Sequence, residues 1–204
     1  MKKHYIIPII LSVLLSAFCF TSTAQTQEER FVKTPADDEG PFYPQSMQQD
    51  EDNDLVHVAG RSKPAQGNIL NLSGVVLNTK GEPQKNLVIE IWQTDSQGRY
   101  NHPGSSTPEQ LDPDFQYCGR TRIGGDGSFF FKTLVPGAYH PRPAHIHYKI
   151  WQNDRVLLTS QIYIRTVSDT MKPYSVNPST IDLQTMELKP VDPGVFEGFF
   201  QIVL

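Results

Sequence analysis

The sequence predicts an all-β protein, an antiparallel β-sandwich with long loops and an extended amino-terminal arm. Short runs of residues alternate between apolar and polar, which is the period of a half-buried strand. Turn-forming residues, 14 Gly and 16 Pro, separate these runs along the whole chain of 204 residues. Because proline breaks helix interiors, its wide distribution disfavours a long helical bundle.

The first 24 residues have the pattern of a secretory signal peptide. A basic start, Lys2-Lys3-His4, precedes an apolar run from Ile6 to Phe20, and small residues, Ser22-Thr23-Ala24, follow it. We expect cleavage after the last of these and a secreted or periplasmic protein of residues 25–204. The apolar run is short for a membrane span, which needs about 20 apolar residues. No stable membrane insertion is therefore expected after cleavage, and retention of the segment as an anchor is the alternative.

Charge and cysteine content restrict the partners. With 18 Lys and Arg against 22 Asp and Glu, the formal net charge is -4, so nucleic acid and anionic membranes are poor partners. The two cysteines are Cys19 and Cys118. Signal cleavage removes the first, so no disulfide within the mature chain is expected. The sequence leaves a homo-oligomer open.

Residues 25–67 are predicted to form the extended arm, because they contain few apolar runs. An acidic stretch within the arm, Asp50-Glu51-Asp52-Asn53-Asp54, is interpreted as a solvated loop. Another segment, Asp38-Glu39-Gly40-Pro41-Phe42-Tyr43-Pro44, has two prolines that bracket two aromatic residues. This favours a rigid segment packed against the body of the domain.

From residue 69 the chain is predicted to alternate strands and turns. The predicted strands are Ile69–Leu77, Leu87–Gln93, Ser128–Thr133, Ala144–Trp151, Val156–Arg165 and Gly198–Leu204. Clusters of Gly, Pro, Asn and Asp separate several of them, which is typical of a sandwich or barrel. Residues 101–118 form a long polar loop, and long loops in compact domains are often functional.

The candidate chemistry is found around His145 and His147. Residues two apart on a strand face the same side, so one metal ion could take both imidazoles. Pro141 and Pro143 stiffen the chain before the strand. The alternative is a histidine pair that faces solvent or is satisfied in the core.

The neighbouring residue types restrict the metal. Cysteine is absent from this cluster, which excludes a thiolate zinc or iron–sulfur site. A cupin would need a nearby Glu, a copper–zinc superoxide dismutase would need further histidines and a disulfide, and a ferrous facial triad would need a carboxylate. Tyrosine is the remaining candidate. Its pKa near 10 keeps it protonated unless a cation stabilises the phenolate, so two His with two Tyr indicate ferric non-haem iron.

With these motifs the chain resembles the intradiol ring-cleavage dioxygenases, in particular the protocatechuate 3,4-dioxygenase branch. The resemblance runs from about residue 37 to 165. It rests on Glu39-Gly40-Pro41-Phe42-Tyr43-Pro44, Ile91-Trp92-Gln93, Gly98-Arg99-Tyr100-Asn101-His102, Pro136-Gly137-Ala138-Tyr139 and Arg142-Pro143-Ala144-His145-Ile146-His147.

The resemblance implies the site residues and their roles. Ferric iron (Fe3+) would be held by Tyr100, Tyr139, His145 and His147. Tyr139 would also act in catalysis, as the ligand that leaves when substrate binds. Arg142 matches the active-site arginine of the family, and Gln161 lies near the position of a family glutamine on the following strand.

The implied activity is cleavage of a catechol-type aromatic ring between its two hydroxyl groups, with O2, to give a muconate-type diacid. Hydroxide and the Tyr139 phenolate would accept the two protons of the substrate. Arg142 would stabilise negative charge that develops on the ring. The partners are thus a small aromatic diol and O2.

The chain also departs from the family. Only His140 and Pro141 separate Tyr139 from Arg142, where the protocatechuate branch has a longer insert. The identity of the catechol is therefore not implied, and the roles of His102 and His140 stay open. The helical amino-terminal domain of the catechol dioxygenases is missing from the sequence, so their dimer is not implied either.

A non-catalytic module is the alternative function. The segments Gly74–Trp92 and Asp126–Tyr139 also resemble secreted transthyretin-like sandwiches, and an inactive metal-binding sandwich would share the same turns. The ordered set of Tyr100, Tyr139, His145 and His147 favours the enzyme.

Overall fold

The computed structural model describes residues 31–45, 50, 52–165 and 180–204. These ranges contain eight strands and two 3-10 helices, Pro108–Gln110 and Ile181–Gln184. The strands are β1 (Ile69–Leu77), β2 (Val88–Gln93), β3 (Cys118–Arg122), β4 (Ser128–Leu134), β5 (His145–Gln152), β6 (Arg155–Arg165), β7 (Thr185–Asp192) and β8 (Val195–Val203). The all-β prediction is confirmed. The predicted signal peptide, residues 1–24, lies outside the described residues.

The strands are arranged as two layers joined by one strand. Their order is β3-β2-β5-β6-β7-β8-β1-β4. The first three residues of β7, Thr185–Glu187, pair with β6, and its later residues pair with β8. We call β7, β8, β1 and β4 sheet A, and β3, β2, β5 and β6 sheet B. Because β7 pairs at both ends, the two sheets form a nearly continuous wall around the core.

The pairing differs from a purely antiparallel sheet in two places. The pairs β1–β8 and β6–β7 are parallel, whereas the others are antiparallel. Hydrophobic alternation sets which face of a strand is buried but not its direction, so it could not predict these two pairings. Strands β3 and β7 were also missed, because both are rich in charged or polar residues.

One hydrophobic core lies between the sheets. Leu70, Leu72 and Phe131 of sheet A and Ile89, Ile91 and Ile146 of sheet B have no solvent exposure. At Gly74 the strands come especially close, since a Cβ there would lie 2.2 Å from the Phe200 carbonyl oxygen. The close contact requires glycine at this point of β1.

The first part of the arm follows the edge of β6 and then crosses the outer face of sheet B, where Gly40 and Phe42 contact the site residues. Asp37 N donates to Thr159 O at 3.0 Å, and Ser160 Oγ donates to Pro35 O at 2.7 Å. The later part of the arm packs along β4 of sheet A, where Leu55 N donates to Lys132 O at 2.8 Å. The described arm residues 31–45, 50 and 52–67 contain no strand. Among the residues that the structure describes, no helix has the length and apolar character needed to cross a membrane.

Candidate metal centre

Strand register assembles the site on the outer face of sheet B. In the antiparallel pairs, Trp92 lies opposite His147 and His147 lies opposite Gln161, while His145 lies opposite Tyr163. Residues two apart on a strand share a face. These five side chains therefore occupy two adjacent rows, on the side of the sheet that the arm covers.

Two loops bring the tyrosines to this face. Thr94 Oγ1 donates to Gly137 O at 2.8 Å, and Gly137 N donates to Asp95 O at 2.9 Å. The loop after β2, which carries Tyr100, is thereby joined to the loop after β4, which carries Tyr139. The two tyrosine rings meet edge to face with centroids 5.6 Å apart.

The four predicted ligand residues come together in one cluster. His145 Nε2 lies 3.1 Å from His147 Nε2 and 3.2 Å from Tyr100 Oη. The hydroxyl groups of Tyr100 and Tyr139 lie close enough to shift each other's pKa. Tyr100, His145 and His147 are buried, whereas Tyr139 is partly exposed. The cluster thus has a closed side and one phenol on its open side.

The donor atoms fit a metal ion. Two nitrogens bonded to one ion at about 2.1 Å each, near a right angle, lie about 3 Å apart, as the two Nε2 atoms do. His145 Nδ1 is 2.6 Å from Pro143 O, and a carbonyl oxygen can only accept. The proton of this imidazole is therefore on Nδ1, and its Nε2 lone pair points into the cluster.

Burial sets the ionisation of the cluster. It lowers the pKa of His145 to about 4 and that of His147 well below its usual value, so both imidazoles are neutral near pH 7, which is the form that binds metals. Burial raises the pKa of Tyr100 and Tyr139, and the nearby positive charge of Arg142 opposes this rise. Both phenols therefore need a strong positive charge beside them to ionise.

The types of side chain beside the histidine pair restrict which metal the site could hold. Within the described part of the chain, no three His, Cys, Asp or Glu side chains are grouped to hold a metal. The tyrosine oxygens are the donors seen beside this histidine pair, with Tyr100 Oη 3.2 Å from His145 Nε2. Hard anionic phenolates favour a ferric ion over softer, lower-charged metals.

Arg142 and Gln161 form a second group beside the cluster. Arg142 Nη2 donates to Gln161 Oε1 at 2.5 Å and to Tyr163 Oη at 3.2 Å. Gln161 Nε2 donates to Asp38 O at 2.9 Å, and Tyr163 Oη donates to Asp37 Oδ2 at 2.8 Å. Arg142 is thus oriented by strand β6, and β6 is tied to the arm.

Several neighbours of the site were not among the predicted site residues, although they belong to the motifs that carry the family resemblance. Trp92 stacks on His147 with ring centroids 4.8 Å apart and planes 7° apart. Phe42 of the arm packs 5.1 Å from Tyr100. A Cβ at Gly40 would lie 3.3 Å from His147 Cε1. Strand register could have identified the tryptophan. The local sequence predicted that arm segment 38–44 packs against the domain, but not which residues it contacts.

The two remaining histidines near the motifs differ in exposure. His102 is partly buried, packs 5.6 Å from Phe42 and accepts a hydrogen bond from Gly104 N at 3.0 Å. His140 is exposed. His102 therefore borders the aromatic wall of the cluster, whereas His140 faces solvent.

Comparison with known sequences identifies the family of this chain. The family model described as dioxygenase matches residues 38–182. The protocatechuate 3,4-dioxygenase beta chain of Burkholderia cepacia is 36% identical over 107 residues, which cover 49% of this chain and 46% of that protein. A chlorocatechol 1,2-dioxygenase of Cupriavidus pinatubonensis is 27% identical over 183 residues, 78% of this chain and 68% of that protein. The match to the protocatechuate relative thus spans about half of its length.

Solved structures share the fold. The dioxygenase domain of a dioxygenase and carbohydrate-binding protein fusion from Streptomyces sp. SirexAA-E is 29% identical with a TM-score of 0.66, over 85% of this chain and 98% of that one. An intradiol ring-cleavage dioxygenase of Tetranychus urticae, 22% identical, has a TM-score of 0.66 over 85% of this chain and 94% of that one. Since the dioxygenase model matches well over half of the sequence, this chain belongs to the intradiol ring-cleavage dioxygenase family.

Proposed function

We propose that this protein is a secreted or periplasmic non-haem Fe3+ dioxygenase that cleaves catechol-type rings between the two hydroxyl-bearing carbons. The substrates are a small aromatic diol and O2, and the product is a muconate-type diacid. One observation carries the proposal: His147 Nε2 and Tyr100 Oη each lie within 3.2 Å of the buried His145 Nε2, with Tyr139 alongside. The family is known to use non-haem iron, which supports the metal.

Tyr100, Tyr139, His145 and His147 would hold the iron. The bound ferric ion would supply Lewis-acid chemistry that activates the diol toward O2. The two imidazoles are already neutral, and they need lose no proton to bind it. The phenols become phenolates beside the cation.

Tyr139 is suited to accept a proton from the substrate. It is partly exposed, whereas Tyr100 is 2% exposed. A phenolate at the open side can take a hydroxyl proton of the diol at its Oη and turn away. Away from the cation its raised pKa keeps that proton in place. Tyr100 stays as the permanent ligand on the closed side.

Arg142 would stabilise negative charge on the reacting ring. Its guanidinium is oriented by Gln161 and Tyr163 before substrate arrives, so no reorganisation is required during the reaction. Gln161 would act through Arg142, by accepting from Nη2 while its own amide is held by Asp38 O. A preoriented charge in a dry site is worth far more than the same charge in water.

Metal analysis, colour and turnover together test the proposal. Purified protein should carry about one ferric ion per chain, absorb visible light through phenolate-to-iron charge transfer, and consume O2 with catechol. Stoichiometric zinc or copper in protein never stripped of iron would overturn the metal. Bound iron with no ring cleavage across a panel of catechols would instead identify the non-catalytic metal-binding sandwich.

The tyrosine roles and the location have separate tests. Tyr139→Phe should keep iron, shift the absorption band and slow turnover, whereas Tyr100→Phe should lose colour. Equal loss of iron in both variants would contradict the division between a leaving and a permanent ligand. Amino-terminal sequencing of exported protein should find Gln25 first, and an intact Met1 in a cytosolic fraction would refute export.

A further inference from the structure

The two histidines of the cluster are oriented in different ways. His145 is held by its hydrogen bond to Pro143 O at 2.6 Å. His147 Nδ1 is buried and has no hydrogen-bond partner among the described residues. Metal-binding histidines are ordinarily oriented by such a bond at the second nitrogen. The ring of His147 must therefore be oriented by packing.

Two contacts supply that packing. Trp92 lies parallel to the imidazole at 4.8 Å. Gly40 approaches the Cε1 edge so closely that a Cβ would lie 3.3 Å away, and its φ of +75° suits glycine. One contact comes from strand β2 and the other from the arm. The orientation of His147 thus depends on how firmly the arm is held against the sheet.

Lys149 holds the arm at this point. It follows His147 by two residues on β5, on the same face, and is 6% exposed. Its Nζ lies 2.6 Å from Glu39 Oε2 and 3.5 Å from the centroid of the Tyr43 ring. Both partners belong to the arm, on either side of Gly40. A desolvated ammonium needs such partners, so its burial and the docking of the arm depend on each other.

The same lysine is linked to the tryptophan. Lys149 Nζ lies 5.6 Å from the Trp92 ring, and Tyr43 packs edge-on against Trp92 with centroids 5.0 Å apart and planes at 90°. The cation, the tyrosine and the tryptophan form one packed group. This group ends at the imidazole of His147.

We propose that Lys149 is a positioning residue, whose ion pair with Glu39 and cation–π contact with Tyr43 clamp the arm and so orient the His147 imidazole for metal binding. The proposal rests on the proposed function in one respect, that His147 is a ligand of the iron. The contacts of Lys149 are to Glu39 and to the rings of Tyr43, Trp92 and Trp151, so in this scheme it acts on His147 only through the arm and the tryptophan.

Iron retention provides the main test. Lys149→Met keeps most of the aliphatic stem and removes the charge, and we expect it to lose iron to a competing chelator about tenfold faster than wild type, as for other residues that orient metal ligands. Lys149→Arg keeps a cation and should recover most of the retention. Glu39→Gln should show a smaller loss, and adding it to Lys149→Met should cause little further loss, because both act on one clamp.

Lys132→Met is the matched control. Lys132 also joins the arm to a sheet, through Asp54 at 3.8 Å, but on β4 and away from the cluster. This variant should retain iron like wild type. Equal losses in Lys132→Met and Lys149→Met would overturn the proposal in favour of a general loss of stability.

Amide hydrogen exchange of the iron-free protein separates the clamp from the metal. Residues 38–43 should exchange faster in Lys149→Met than in wild type, with the core strands unchanged. Unchanged exchange in this segment would refute the clamp even if iron retention fell. If wild type bound no iron but the exchange difference appeared, the proposed function would fail while the clamp itself stood.

Discussion

The outer faces of the two sheets differ in what covers them. On sheet A, strand β8 alternates between exposed or partly exposed residues and buried ones, and Phe199 on its outer face is 63% exposed. On sheet B, the first six residues of β5 are buried on both faces. The inner faces of both sheets share one core. The sheets therefore have the same structural role inside and different roles outside.

The cover on sheet B consists of loops rather than strands. A second cluster of buried side chains, Trp92, Tyr100 and Cys118, lies beneath Phe42 and Tyr43 of the arm and Tyr139. Excluding water from this face shifts the histidine pKa downward and the tyrosine pKa upward. The covered outer face of sheet B can therefore exclude water from a metal site. The uncovered outer face of sheet A serves as scaffold.

Truncating a buried residue beneath the arm and loops that cover sheet B should have the largest effect on stability. Trp92→Ala removes a ring that is 1% exposed, and removal of a buried Trp costs about 3–5 kcal/mol of unfolding free energy. Urea denaturation of the iron-free protein measures this loss. A change below about 1 kcal/mol would show that the outer face of sheet B is as loosely packed as that of sheet A.

Removing the charge beside the cluster should affect turnover and leave the metal. Arg142→Ala should keep iron and colour while lowering kcat about a hundredfold, near 3 kcal/mol of transition-state stabilisation. Arg165→Ala, at the exposed end of β6, the strand that orients Arg142, removes surface ion pairs to Asp182 and Glu187 and should leave turnover unchanged. Both variants are compared by O2 uptake with catechol and protocatechuate.

Two other results would change the role assigned to Arg142. Full activity in Arg142→Ala would remove the residue from the mechanism. Loss of iron in that variant would indicate a structural role, in which Arg142 holds the chain before His145 through Gln161 and Tyr163.

Prediction from sequence succeeded where information is local. The bounds of β1 were predicted as observed, because its residues alternate regularly between buried and partly buried. Strand β3 was missed because its charged residues are stabilised by contacts with another strand, which the local sequence does not reveal. Arg120 Nε donates to the buried Glu90 of β2 at 2.6 Å, and only the pairing of the two strands shows this.

The residues of the candidate site also fall into two groups, one predictable from local sequence and one that depends on tertiary contacts. The first group belongs to short motifs that can be identified from the sequence alone, and it consists of Tyr100, Tyr139, His145 and His147. Gly40 and Lys149 act through docking of the arm onto β5, over a separation of more than a hundred residues. No pattern within a short window specifies such a contact, so their part in the site needed the three-dimensional structure.

A matched pair of glycines can sharpen the role of the arm. Gly40 and Gly60 have φ of +75° and +80°, but a Cβ at Gly40 would lie 3.3 Å from His147 Cε1, whereas one at Gly60 would meet nothing within 4 Å. Each Gly→Ala change should cost about 1–2 kcal/mol from backbone strain. Only Gly40→Ala should also weaken iron retention. Equal retention in the two variants would show that the imidazole tolerates displacement at that edge.

The smallest effect is expected on the open face of sheet A. Phe199 is 63% exposed, and its register partner on β1 is Ser73, so little apolar contact is lost when the ring is removed. Phe199→Thr keeps a residue that favours strands and should change the free energy of unfolding by no more than about 0.5 kcal/mol. Iron content and turnover should match wild type. A loss comparable to that of Trp92→Ala in urea denaturation would mean that this face is covered in solution as well, and the contrast between the two sheets would then no longer hold.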